Sequence, residues 1–488
     1  MKKNIFLQEK SKISLRIYIL QLTKEELKDK LNNNLYRLGL KIQSISKEYH
    51  GKKKLGSKLL FGKIRDDNYS FHVGGLREPQ FNIGWSDNKF RYGLAFSIQA
   101  NQSLTNPTVE LKPFIDYFNS IPFKDKEKFN FYKYGNSGKG LNESISNKKI
   151  DNINDTFWFY GEFIEWNKGN VTDSQYERIK EVLRDIFTIY ERIMTGVNKM
   201  EKIKEKINLL VNRHQIILQG PPGTGKTRLA KQMVNFMING DIEPNIEDIK
   251  EQVKLIQFHP SYSYEDFVRG IVATTTKDGK GVKYETQNKI LATMAKKAKD
   301  ALGDEYYQKD TPNERKKEIL TEADKYILII DEINRANLSS VLGELIYALE
   351  YRDEAVESMY DIDGSREITL PSNLYIIGTM NTADRSIGHI DYAIRRRFAF
   401  ETILPQKDNI NLDEGKKLFE KVENIFSKNL SPEFEKSKVM LGHSYFIADD
   451  EEELKNKLEY QVKPLLMEYL SDGVLIDSEE IKEIIKNL

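Results

Sequence analysis

The chain has 488 residues, 39% hydrophobic and 31% charged, with 75 Lys plus Arg against 74 Asp plus Glu. That balance excludes a disordered polymer and a uniformly basic protein, and the length allows two to three domains, each with its own core. Zero Cys excludes disulfide scaffolds, Cys-ligated zinc, iron–sulfur clusters and thiol nucleophiles.

The apolar residues of the first twenty positions are interrupted by Gln8, Glu9, Lys10, Lys12 and Arg16, which is not the pattern of a signal peptide. No run approaches the roughly 18 consecutive apolar residues of a membrane span, so the expected location is the cytoplasm. Residues 21–45 read as helix. Residues 55–105 hold short β-type runs (FHV, FNIGW, FRYGLAFSIQA) punctuated by Gly74-Gly75, Ser86-Asp87-Asn88 and Gly93, and residues 124–156, rich in Lys, Asn, Ser and Gly, read as long loops. Residues 1–170 are therefore expected to form an N-terminal α+β module. They carry 29 basic and 18 acidic side chains, a surplus of +11 that leaves −10 for the rest of the chain. All three Trp (Trp85, Trp158, Trp166) lie here, and Lys128 and Lys133 alternate with Phe129, Phe131, Tyr132 and Tyr134. Basic and aromatic side chains together suit nucleic acid; the same Trp residues equally suit a β-rich core.

Residues 171–199 carry a stripe of Tyr176, Ile179, Val182, Leu183, Ile186, Phe187, Tyr190 and Ile193 after Thr172-Asp-Ser-Gln175, which predicts a connecting helix opened by a capping box. A second amphipathic stretch, KMEKIKEKINLLVNR, leads into the strand-like QIILQ. Next come Gly220, Pro221, Pro222, Gly223, Thr224, Gly225, Lys226 and Thr227, a G-x-x-x-x-G-K-[ST] phosphate loop, followed from Arg228 by a helical pattern. Its glycines let backbone N–H groups curl around phosphates. Lys226 offsets their charge, the Thr227 hydroxyl suits Mg²⁺, and the helix N-terminus adds partial positive charge. By contrast, 135–140 lacks the hydroxyl residue after its Lys and reads as a surface loop.

YILIIDE ends in Asp331 and Glu332. The first carboxylate suits the metal, and the second suits a general base that polarises the attacking water. NLYIIGTMN ends in Asn381, a polar group where a doubly wound sheet meets its ligand. Arg395, Arg396 and Arg397 form a run from which a cation for developing phosphate charge could come, in the same site or a neighbour's; the run is also read as a solvated basic patch.

These motifs in this order, with QFHPSYSYEDFVRGI at 257–271, IIDEINRANLSSVLGELIYALE at 329–350, GTMNTADRSIGHIDYAIRRRFAF at 378–400 and LGHSYF at 441–446, make residues 200–450 resemble the McrB-type AAA+ NTPases. These are the motor and DNA-recognition subunits of modification-dependent (type IV) restriction systems. The resemblance implies a P-loop AAA+ three-layer, doubly wound parallel α/β sheet over 200–405 and a helical lid over 406–488. It makes Asn381 the sensor, places Asp384 and Arg385 in a signature loop beside the nucleotide, and makes Arg396 and Arg397 candidate fingers supplied to a neighbouring subunit. It further implies a homo-oligomer, typically a hexamer, Mg²⁺ with GTP or ATP as substrate, and an McrC-type nuclease partner. The stretch 278–288 resembles a pore- or DNA-facing hairpin and equally an ordinary surface hairpin. There is no N-K-x-D guanine motif.

By the same resemblance residues 1–170 occupy the place of a reader of double-stranded DNA carrying modified cytosine. Trp85, Tyr92, Phe96, Trp158 and Trp166 are candidates for an aromatic pocket, and Arg77 and Arg91 for phosphates or base edges. Two alternatives remain. One is a MoxR-like AAA+ machine remodelling a protein. The other is a motor with its own nuclease, since Asp87 followed by Glu110-Leu-Lys112 fits a permissive D…E-x-K pattern.

Overall fold

The computed structural model describes residues 60–61, 69–73, 79–86, 89–97, 107–121, 123–134, 143–150, 157–165, 173–240, 251–275, 281–384 and 390–488. The expected helix at 21–45, Thr172 of the capping box, Trp166, Arg77, Asp87 and Arg385 lie outside them. The chain divides into two compact units, Met1–Lys202 and Ile203–Leu488.

In the first unit, strands β1 (Leu60–Phe61), β2 (Tyr69–Val73), β3 (Gln80–Ser86), β4 (Lys89–Ser97), β5 (Asn130–Tyr134), β6 (Glu143–Ser144) and β7 (Phe157–Glu165) form one sheet in the order 1-2-3-4-7-5-6. All its pairings are antiparallel. The loops expected over 124–156 thus contain β5 and β6, because the apolar alternation of Phe129 and Phe131, with Tyr160 facing Phe131 from β7, outweighs the polar composition around them. At the centre Gly93 faces Gly161 across β4 and β7. A Cβ on Gly93 would stand 2.4 Å from the Tyr160 carbonyl oxygen, so neither strand tolerates a side chain there.

Helix α1 (Pro107–Ser120) covers one face of this sheet. The Phe118 ring sits 5.1 Å from Phe96, 5.5 Å from Phe131 and 5.6 Å from Tyr160, and Phe131 stacks on Trp158. The helix expected over 171–199 is the first part of α2 (Asp173–Arg213). It buries Ile179, Val182, Ile186, Tyr190, Ile193 and Val197 and is tied to β7 by the two-pronged pair of Arg178 with Glu162, at 2.5 and 3.1 Å.

The second unit is built on five parallel strands, β8 (Gln215–Gly220), β9 (Val253–Gln257), β12 (Tyr326–Asp331), β15 (Leu374–Asn381) and β16 (Ala399–Thr402), in the order 16-8-15-12-9. β8, β12 and β15 are apolar on both faces and almost wholly buried, as expected of parallel strands covered by helices on each side. Register brings their polar ends together: Asn381 faces Gly220, and Ile330 faces Gly378. This is the doubly wound AAA+ arrangement, and residues 413–486 add the helical lid, packed around Leu418, Phe419, Val422, Phe426, Phe446, Leu466 and Leu475.

Two antiparallel hairpins extend this unit, β10 (Arg269–Thr275) with β11 (Val282–Asn288), and β13 (Ala355–Ile362) with β14 (Ser365–Thr369). One buried guanidinium joins them. Arg269 donates to the carbonyls of Tyr360, Arg366 and Glu367 at 3.0, 3.1 and 2.9 Å, and to Asn288 Oδ1 at 2.9 Å.

Candidate nucleotide site

The loop leaving β8 turns through Gly220, Gly223 and Gly225 at φ 156°, 76° and 79°, backbone that residues with a Cβ rarely adopt. Gly225 is the N-cap of helix α3 (Lys226–Asn239), whose first turn holds no acidic residue, so its unpaired N–H groups and dipole are left to an anion. Lys226 Nζ lies inside the loop and donates to the carbonyls of Gly220 and Pro221 at 3.0 and 2.8 Å and to Asn381 Oδ1 at 2.7 Å. All three acceptors are neutral. Burial therefore lowers the ammonium to about 8, against the pull of Glu332 and Asp331.

Asp331 Oδ1 accepts from the hydroxyls of Thr227 at 2.7 Å and Thr379 at 2.5 Å. A hydroxyl and a carboxylate in contact at a phosphate loop are a donor set that Mg²⁺ accepts, since it prefers hard oxygens, keeps most of its waters and takes the rest from phosphate. The residues fit the ion. Among the described residues no cluster of three or more His, Cys, Asp or Glu forms an all-protein metal site.

Glu332 sits at φ 53°, ψ 46°, a left-handed conformation that costs a residue with a Cβ roughly 1–3 kcal/mol. It turns the carboxylate back towards the loop. There it accepts from Asn381 Nδ2 and, more loosely, from Arg335 Nε at 3.4 Å, while its own N–H donates to Thr379 Oγ1 at 3.2 Å. Burial raises the Glu332 pKa, Asp331 adds to this, and Arg335 and Lys226 oppose it. Lys226, Asn381 and Glu332 thus form one hydrogen-bonded chain from the ammonium inside the loop to the carboxylate at the end of β12. Arg335 also lies 3.8 Å from Asp384, and this places Asp384 beside the site.

The lid reaches the loop through 441–446. Gly442 N–H donates to Pro222 O at 2.9 Å, and Ser444 N–H to Gly223 O at 3.0 Å. An added Cβ on Gly442 would stand 2.0 Å from the Gly223 carbonyl carbon. Between these bonds His443 is 8% exposed, accepts from Gln406 N–H at Nδ1, and is lowered to about 4 by burial and by the charge of the exposed Arg228.

Several expectations need correction. Of the two candidate fingers, Arg396 is two-thirds exposed and pairs with Glu350 at 2.7 Å. The Arg397 side chain is only 12% exposed and is occupied by Glu350 and the Ala393 carbonyl. Arg396 and Arg397 are the fifth and sixth residues of a six-residue helix, Tyr392–Arg397, so their side chains point about 100° apart, and burial of Ile394 and Phe398 turns Arg397 inward. Tyr92, Phe96 and Trp158 are 1%, 0% and 2% exposed; they form the core of the first unit rather than a pocket. Glu110 and Lys112 lie on α1, where Lys112 pairs with Asp116 at 2.8 Å. Thr379 and Arg335 were missed. Thr379 precedes Asn381 by two on one strand, hence on the same face, which is a signal legible in the sequence.

Residues 215–398 match the family model of the AAA domain (dynein-related subfamily), and residues 421–482 that of the McrB alpha-helical lid domain. The chain is 34% identical over 319 residues to the type IV methyl-directed restriction enzyme EcoKMcrB subunit of Escherichia coli strain K12, a match covering 60% of each protein. It is 25% identical over 325 residues, 60% of this chain and 91% of the relative, to the type II restriction enzyme BsuMI component YdiS of Bacillus subtilis strain 168. This chain spans about three fifths of the length of the Escherichia coli relative. Its second unit is an AAA+ module with an McrB-type lid.

Proposed function

We propose that this chain, with its McrB-type AAA+ module, is the nucleotide-hydrolysing motor subunit of a modification-dependent restriction complex. In this reading GTP, or ATP, binds with Mg²⁺ between the phosphate loop and the lid of each cytoplasmic subunit. Lys226 and the N-terminus of α3 hold the phosphates. Thr227 and Asp331 hold the ion, which supplies charge neutralisation at the phosphates when bound. Glu332 takes the proton of the attacking water, Asn381 orients Glu332, and Arg396 reaches a neighbour's site in a homo-oligomer, a hexamer by family resemblance. The N-terminal unit binds duplex DNA, with modified cytosine as the preferred target, and an McrC-type nuclease cuts it.

The observation that carries the reading is the continuous hydrogen-bonded chain Lys226–Asn381–Glu332 beside the Thr227–Asp331 pair, in a module whose relatives are restriction-enzyme subunits. The test is hydrolysis of GTP and ATP by the full chain, alone and with a nuclease subunit, in parallel with cleavage of duplexes carrying cytosine, 5-methylcytosine or 5-hydroxymethylcytosine. Nucleotide-dependent cleavage confined to modified duplexes is expected. Hydrolysis stimulated by an unfolded polypeptide and indifferent to every duplex would move the chain to the protein-remodelling class.

A further inference from the structure

Gln215 opens β8 at the end of the sheet opposite the phosphate loop, and its side chain is 3% exposed. Its amide nitrogen, Nε2, donates hydrogen bonds to the carbonyls of Leu349 at 2.9 Å and Arg397 at 2.7 Å. Its Oε1 accepts from Arg352 Nη2 at 2.6 Å, and Arg352 is itself anchored on the carbonyls of Pro371 and Leu374 at 3.3 and 3.0 Å. Leu349 immediately precedes Glu350, the carboxylate shared by Arg396 and Arg397. One buried amide therefore grips the backbone on both sides of that ion-pair cluster. It does so from the first residue of the strand whose last residue is Gly220.

We propose that Gln215 is a positioning residue for Arg396: by fixing Leu349 and Arg397 to the root of the phosphate-loop strand, it sets the direction in which Arg396 is offered to a neighbouring subunit. This rests on the reading of Arg396 as a group acting in trans. Three polar atoms satisfied by one side chain make the joint stiff, since each bond removed takes a hydrogen-bond partner from a buried carbonyl or from Nη2 of Arg352. A displacement of about 1 Å at the reacting phosphate is enough to cost about 100-fold in rate.

The test uses Gln215→Glu in the full chain. The carboxylate keeps the length and still accepts from Arg352, but donates to neither carbonyl. Nucleotide binding within about twofold of the parent and hydrolysis down at least about tenfold are expected. The decisive measurement mixes this variant with Glu332→Gln subunits, which keep Arg396 but lack the base. Hydrolysis severalfold above the average of the two separate preparations is expected, because an intact Arg396 then faces an intact site; a merely structural defect gives only the average. Arg396→Ala mixed with Glu332→Gln is the control. If the control recovers activity and the Gln215→Glu mixture does not, Gln215 has no positioning role. If neither recovers, Arg396 does not act in trans and the proposal falls with that reading. Gln215→Asn, with the same groups one methylene short, repeats the measurement should the first variant not fold. Failure of both to fold assigns Gln215 to the core and overturns the proposal.

Discussion

Gly442→Ala isolates the contact between lid and phosphate loop. The backbone at Gly442 is φ −71°, ψ 162°, open to any residue, so alanine brings no conformational strain and even restricts the unfolded chain by about 0.4–1 kcal/mol in favour of folding. The cost is purely steric. The new methyl would lie 2.0 Å from the Gly223 carbonyl carbon, 2.1 Å from its oxygen and 2.4 Å from Thr224 N. All three are backbone atoms that cannot rotate away. Relief needs the two loops to part by about 1.4 Å, beyond the reach of the bonds Gly442 N–H to Pro222 O and Ser444 N–H to Gly223 O. Losing both costs about 2 kcal/mol, and residual crowding adds about 1 kcal/mol, a fall of about 5 °C in Tm for a unit of this size. Hydrogen exchange should show faster exchange at the amides of residues 442 and 444, with protection retained in the lid core around Phe426 and Leu466. Calorimetry should show weaker nucleotide binding. Parent-like exchange and Tm would mean that the lid does not rest on the loop in solution, and the argument would fail.

Three further outcomes follow from the site. Lys226 is lowered to about 8 in the free protein and a phosphate favours its charged form, so above pH 8 binding must take up a proton; Kd should rise towards tenfold per pH unit there. Titration calorimetry in buffers of different ionisation heat checks this, and a flat Kd to about pH 9.5 contradicts it. Glu332→Gln should keep nucleotide affinity and lose about 100- to 10,000-fold in single-turnover hydrolysis; a loss below about fivefold would remove Glu332 from the role of base. His443, held neutral down to about pH 4, is protonated earlier in the unfolded chain. The unfolded state therefore binds more protons between about 6.5 and 4, and stability falls on acidification by up to about 3 kcal/mol. Thermal melts from pH 7 to 5 should show this fall in the parent and a smaller one in His443→Gln.

What was legible in the sequence is what depends on near neighbours. The phosphate loop, the strand ends at Asp331 and Asn381 and the apolar strands before them are local patterns, and each sits at the same end of one parallel sheet. Pairings across long separations were not legible. Nothing within a few residues of Asn381 announces that its amide bridges Lys226 and Glu332, and Gln215 looks like an ordinary polar residue at a strand start until Leu349 and Arg397 are brought to it. The aromatic residues stayed ambiguous between core and pocket for a related reason. A buried ring and a base-stacking ring have the same composition, and only the closing of α1 over β4 and β7 decides that Phe96 and Trp158 are core. The run of three arginines hid the inward turn of Arg397, which is set by the burial of Ile394 and Phe398 on either side.

Arg269 gives the two hairpins a common mechanics. They cannot slide past one another without stranding a guanidinium that now serves three carbonyls of β13 and β14 and an amide of β11, so together they behave as a single paddle. Its outer surface carries Ile271, Tyr284 and Met359, at 59%, 72% and 63% exposure. Its root is pinned where Ser358 Oγ meets the Tyr264 hydroxyl at 2.8 Å, and that hydroxyl also bonds Glu344 beside the helix that ends in Glu350. The blade is thus joined through Tyr264 to the segment that follows Asp331 and Glu332 in the chain.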